Sequence, residues 1–149
     1  MKPVAIFAVD TSCMVAAVCS WHEHHEAAAA EIERRLDRRD RLCVPAPALV
    51  EAYAVLTRLP SPHRLSAADA WVLIETNFVA QATVQALPAE AYVALLRGAA
   101  AQDVAGGRTY DAVIGECARD AKAEVLLTFN RRHFDPAPAG VRVIEPALT

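Results

Sequence analysis

Five short apolar runs set the terms on which this chain can fold. They are residues 3–9, RLCVPA (41–46), TVQAL (83–87), AEVLLTF (123–129) and VRVIEP (141–146). Each has strand length, and helix-period sequence separates the first four from one another. Strands joined through helices do not pair as hairpins. They form a mostly parallel sheet with helices on both faces. The expected fold class is therefore α/β, a three-layer α/β/α sandwich, with one domain over residues 1–149. At 149 residues, 54 % hydrophobic and 22 % charged, the chain is long enough to bury a sizeable core.

Capping chemistry places the helices. Asp10 caps a helix over Thr11–Ser20. A second helix runs over His22–Arg39, with His25, Ala28, Ile32 and Leu36 on one face. Pro47 suits the first turn of a helix to about Leu59, which Pro60 stops. Ser66 and Asp69 resemble a capping box for a helix through Val79. Pro88 opens a helix that ends near Gly106–Gly107, and Thr109 caps one to about Ala121.

In open parallel sheets, sites gather outside the carboxyl ends of the strands. Asp10 stands at such an end, and so does Asn130, after VLLTF and between Thr128 and Asp135. Glu51 lies in PALVEAYAVLTRL, a helix free of other charge until Arg58. Val55, four residues on, gives it no helical salt-bridge partner. Asp111 is placed in the first turn of its helix, with Gly115 four residues on leaving room beside it. Each residue also has a plainer reading, which for Glu51 is an exposed helix face. Asp10 is a good N-cap, Asp111 suits the helix dipole, and Asn130 suits a turn with a left-handed backbone.

Brought together, three carboxylates repel and raise one another's pKa. A divalent cation resolves that repulsion, and an all-oxygen ligand set suits Mg²⁺ or Mn²⁺. The matching chemistry is metal-assisted phosphoryl transfer, in which the cation activates water and neutralises charge growing on phosphate.

These residues carry a resemblance. VDTS near the N-terminus, PALVEAYAVLTR, TYDAVIGECARD and LLTFNRRHF, in this order, resemble a PIN-domain ribonuclease of the VapC type, the toxin of a bacterial type II toxin–antitoxin pair. The resemblance covers nearly the whole chain. It implies a Mg²⁺- or Mn²⁺-dependent endoribonuclease that leaves a 3′-hydroxyl and a 5′-phosphate. Asp10, Glu51 and Asp111 match the three principal acidic positions and would hold metal. The fourth position, often Asp, is Asn130, which keeps an oxygen but drops a charge. Asp135 is a possible substitute for it. Ser12 and Thr128 would hydrogen-bond a carboxylate or a metal-bound water. The implied partners are RNA, a small antitoxin that sends an Arg or Lys into the acidic pocket, and a second copy in a homodimer. The rival expectation is a silent PIN-fold module that binds RNA or antitoxin without cutting, because of Asn130.

The net charge of −3 gives no basic footprint for bulk nucleic-acid binding. Local cations remain: Arg108, Arg131, Arg132 and His133 neighbour the expected site and suit phosphate contact. ERRLDRRDR (33–41) reads as a solvated helix face with internal ion pairs. WHEHHEA (21–27) lacks the spacing of a zinc site, and His25 reads as a packed histidine. Trp21, Trp71 and Tyr53 are expected in core or dimer packing rather than under nucleic-acid bases. Cys13, Cys19, Cys43 and Cys117 form no CxxC pair and read as buried thiols of a cytoplasmic protein. Asp10 interrupts the one apolar stretch that imitates a signal peptide, and no apolar span reaches membrane length. A haloacid-dehalogenase-like phosphatase with Asp10 as nucleophile would need a second Asp where Ser12 stands, and a receiver domain would need a late Lys, for which only Lys122 is available.

Overall fold

The computed structural model describes residues 4–147. Pro3, the first residue of the first expected strand, and the ends of the expected domain lie outside them. Five strands form one sheet: β1 (Ile6–Val9), β2 (Arg41–Pro45), β3 (Thr83–Gln85), β4 (Val125–Leu127) and β5 (Arg142–Ile144). Their order is β3-β2-β1-β4-β5, and every pair is parallel. Successive strands thus step away from β1 in one direction, then resume on its other side. The reversal falls between β1 and β4, whose carboxyl ends open a crevice.

Burial along the strands shows the three layers. Neighbouring residues on a strand face opposite sides of the sheet. Phe7, Ala8 and Val9 of β1, Leu42, Cys43 and Val44 of β2, and all of β4 are nonetheless buried. Both faces of the central strands are therefore covered, as their unbroken apolar sequences require. The edge strand β3 exposes Thr83 and Val84.

The covering helices are α1 (Thr11–Val18), α2 (His25–Asp37), α3 (Ala46–Thr57), α4 (Ala67–Ile74), α5 (Ala89–Ala101) and α6 (Gly107–Asp120). Helix α3 packs against both α1 and α6, which sets the elements bearing Asp10, Glu51 and Asp111 side by side. Among the described residues, no helix is long and apolar enough to cross a membrane. All four cysteines are buried.

Several boundaries differ from expectation. Helix α2 starts at His25, because residues 22–24 form turns. Ser66 Oγ does accept from the Asp69 N–H at 3.1 Å. The helix it opens changes to a wider π-helical turn over Glu75–Val79. Helix α5 ends at Ala101, short of the glycines. Thr109 does not cap α6: Gly106 does, at φ 62°, a conformation costly for any residue with a Cβ. The earlier start moves Asp111 beyond the first turn. A short 3₁₀ turn, Arg131–Phe134, follows β4. Asn130, which precedes it, has φ −127° and so is not left-handed.

Gly115 does not leave empty room either. A Cβ there would stand 2.9 Å from Pro138 Cγ and 3.6 Å from Phe134 Cδ1. The missing side chain lets the segment after β4 pack directly onto α6, where Phe134 is buried. Gly115→Leu is expected to destabilise the fold by about 1–3 kcal/mol, the usual cost of overpacking. Urea unfolding measures it, and an unchanged midpoint would contradict the packing.

Candidate active site

The crevice at the β1/β4 ends is an open cleft of about 650 Å³. Asp10, Glu51 and Asp111 line it together with Ser12, Arg108 and Asn130. The three carboxylates arrive from three different elements, so the cleft exists only in the folded chain.

Asp10 ends β1. Its N–H extends the ladder to Leu127 O at 3.1 Å, and its extended backbone (φ −92°, ψ 178°) begins α1. Oδ1 accepts the Cys13 N–H at 2.9 Å and the Ser12 hydroxyl at 2.7 Å. Oδ2 accepts the hydroxyl of Thr128, across the switch point, at 2.5 Å. Ser12 and Thr128 are fixed in turn: Phe129 N–H donates to Ser12 Oγ at 3.0 Å, and Asn130 N–H to Thr128 Oγ1 at 2.9 Å. The carboxylate is thus a helix cap and a clasp between β1 and β4 at once.

That environment works against its charge. Asp10 is 3 % exposed, and Thr128 is fully buried. Burial pushes the Asp10 pKa up to about 6, while the bonds from Thr128, Cys13 and Ser12 oppose the rise and the Asp111 charge adds to it. Asp111 is also raised. Burial leads, the Glu51 charge adds to it, and His133 opposes it.

Glu51 sits one turn into α3. Its Oε1 accepts the hydroxyl of Thr11 at 2.5 Å. Asp111 Oδ2 stands 3.1 Å from His133 Nδ1. Neither partner was legible in local sequence, because Thr11 lies 40 residues from Glu51 and His133 belongs to a 3₁₀ turn that sequence did not reveal.

The other candidates divide. Arg108 lines the cleft. Asn130 also does, through an exposed side chain that makes no capping bond. Arg131 and Arg132 line an adjoining groove that shares Phe129 and Asn130. Asp135 is not brought into the cleft. The buried Phe134 separates it from Asn130, and it borders the groove and a cavity beyond Asp111 instead. His22 and His24, set aside as zinc ligands, form part of the cleft wall. His25 is partly buried, with Nδ1 2.9 Å from the Ala16 carbonyl oxygen.

The donor set has the chemistry of a hard-cation site: carboxylate oxygens whose mutual repulsion a cation relieves. Among the described residues, however, no three His, Cys, Asp or Glu side chains stand together as a ready-made ligand cluster. The carboxylates border one cleft without closing on one point.

Comparison with known proteins adds the family. The PIN domain pattern matches residues 7–138. Ribonuclease VapC40 of Mycobacterium tuberculosis is 42 % identical over 125 residues, covering 81 % of this chain and 84 % of the relative. Ribonuclease VapC27 of the same organism is 33 % identical over 147 residues, covering 99 % and 100 %. Among solved structures, Mycobacterium tuberculosis VapC20, described as a sarcin-ricin loop cleaving toxin, superposes with TM-score 0.68 at 18 % identity, over 93 % of this chain and 99 % of that one. DNA-bound VapBC from Salmonella typhimurium gives 0.65 at 20 % identity, over 95 % and 98 %. The resemblance read from four short motifs thus holds along the chain, which belongs to the PIN-domain family, in its VapC branch.

Proposed function

We propose that this protein is a Mg²⁺-dependent endoribonuclease, with Mn²⁺ able to replace Mg²⁺, and the toxin of a toxin–antitoxin pair. The observation that carries the reading is the shared cleft of Asp10, Glu51 and Asp111, with Asp10 buried and held near 6. Relatives named ribonucleases support the activity, and solved neighbours described as VapBC complexes support an antitoxin partner. The cytoplasm and a homodimer complete the proposal.

Asp10, Glu51 and Asp111 would hold the cation. When bound, Mg²⁺ supplies Lewis-acid activation of water and neutralises charge on the scissile phosphate. Ser12 and Thr128 orient Asp10, and Thr11 orients Glu51, so the carboxylates meet a ligand already aimed. Arg108 offers the cleft a guanidinium for a phosphate oxygen, and Arg131 and Arg132 offer theirs along the next groove. Asn130 contributes a neutral oxygen at the mouth.

Glu51→Gln tests the reading. It keeps the Thr11 contact and removes the charge. RNA cleavage with Mg²⁺ is expected to fall by more than about 100-fold, since losing even a residue that only supports a ligand costs 10–100-fold. Equal cleavage by both proteins overturns the proposal. The second reading, a silent RNA- or antitoxin-binding module, rests on the neutral Asn130 and the open carboxylate spacing. It predicts no cleavage by wild type and no Mn²⁺ binding that Glu51→Gln abolishes.

A further inference from the structure

An acidic cleft in a chain of net charge −3 is a poor electrostatic host for a polyanion. Among the described residues, Arg108 alone adds a guanidinium to its lining. A nucleic-acid strand that reaches Asp10 needs holding by more than these few phosphate contacts, and the π-faces of its bases are available for that.

The structure provides a run of rings beside the cleft. Phe129 follows Thr128 and stacks on His24, with centroids 4.3 Å apart and planes 8° from parallel. His24 neighbours His22 at 5.7 Å, and His22 neighbours Trp21 at 5.8 Å. Trp21 stacks on His63 at 4.0 Å, with planes 18° from parallel. The run therefore joins the end of β4, the α1–α2 connection and the α3–α4 connection. Its inner members, Phe129, His24 and His22, line the cleft. Its outer end is exposed, Trp21 by 47 %, and within the cleft the side chain of His24 is exposed by 44 %. Trp21 is thus outside the core, one of the two placements, core or dimer packing, expected of it. An exposed indole braced on one face by an imidazole is a poor use of apolar surface unless its other face is covered by a ligand.

We propose that this run is a base-stacking track for single-stranded RNA, with Trp21 as its outer platform and His24 as its inner one. His63 and Phe129 are positioning residues that hold the two rings. The track fixes the strand by unpaired bases, so that a phosphate lies over the carboxylates. It favours single strands over duplex, whose bases are already stacked. The inference rests on the nuclease reading for its substrate, but its test reads binding.

Trp71→Phe leaves Trp21 as the sole tryptophan of a chain that has two. Titrating that protein in EDTA with a 12-nucleotide single-stranded oligoadenylate is expected to quench its fluorescence. By fluorescence anisotropy of labelled RNA, Trp21→Ala is expected to weaken binding about 5- to 150-fold, the range of one lost base stack. Trp21→Phe is expected to recover most of it, and His24→Ala to weaken binding in the same range. The loss should persist in high salt, where phosphate contacts fade. Equal affinity of wild type, Trp21→Ala and His24→Ala, with cleavage intact, overturns the track and leaves the nuclease reading standing. Affinity lost in both variants, with no cleavage by wild type, supports the track and overturns the nuclease reading. Quenching by duplex RNA equal to that by the single strand also overturns the track.

Discussion

Asp10→Asn is expected to abolish RNA cleavage while leaving the fold intact, and the two effects come from different atoms. Asn serves as an N-cap as well as Asp does, so the Cys13 N–H and the start of α1 keep their acceptor. The Ser12 hydroxyl can keep donating to the same oxygen. Across the switch point the amide NH₂ meets Thr128, whose hydroxyl can turn from donor to acceptor. What disappears is the charge at the centre of the proposed cation site. Cleavage with Mg²⁺ should fall by more than about 100-fold, while thermal unfolding shows a folded protein at least as stable as wild type. The pairing of results is what discriminates. Lost cleavage with lost folding would report only the cap and clasp. Retained cleavage would move the chemistry out of this cleft.

Sequence made Asp10 and Glu51 legible for opposite reasons. Asp10 stood out because a buried apolar run ended on it. The local reading, a helix cap, is true but covers only one carboxylate oxygen. The other faces Thr128, 118 residues away, and no local pattern encodes that distance. Glu51 stood out because its helix offered no partner. The partner, Thr11, comes from another helix through the packing of α1 on α3. The parallel sheet was legible because strands buried on both faces write continuous apolar runs. The irregular pieces were not. The π-helical turn, the 3₁₀ turn and the Gly106 cap depend on where the chain must be delivered rather than on propensity. Two positions differ from what their local sequence suggests. Gly115 looked like space beside Asp111 and is instead the seat of Pro138. The histidines at 22 and 24 fail the spacing of zinc ligands, and local sequence does not show that His24 stacks on Phe129, 105 residues away, across the cleft wall.

The cation-free protein is expected to lose stability as pH rises from about 4 to about 6, and Asp10→Asn to lose less. The folded chain holds the Asp10 proton to about 6, whereas the ordinary value is 3.8. Between these values the folded state binds more protons than the unfolded state, so protonation favours folding and rising pH removes that preference. A separation of about two pH units corresponds to about 3 kcal/mol. This stability is fully present below pH 4 and lost once pH has passed through 6. Asp111 shifts in the same direction and adds to the slope. Chemical denaturation in EDTA at pH 4.5, 5.5 and 7 measures the trend, with Asp10→Asn as the reference for all other titrating groups. Adding Mg²⁺ at pH 7 should return part of the loss to wild type, because a ligand that binds only the folded state raises its stability. It should return little to Asp10→Asn. If the wild-type and Asp10→Asn curves run parallel across this range, the buried carboxylate is not the strained group that the cleft geometry makes it, and its use as a cation ligand loses its energetic basis.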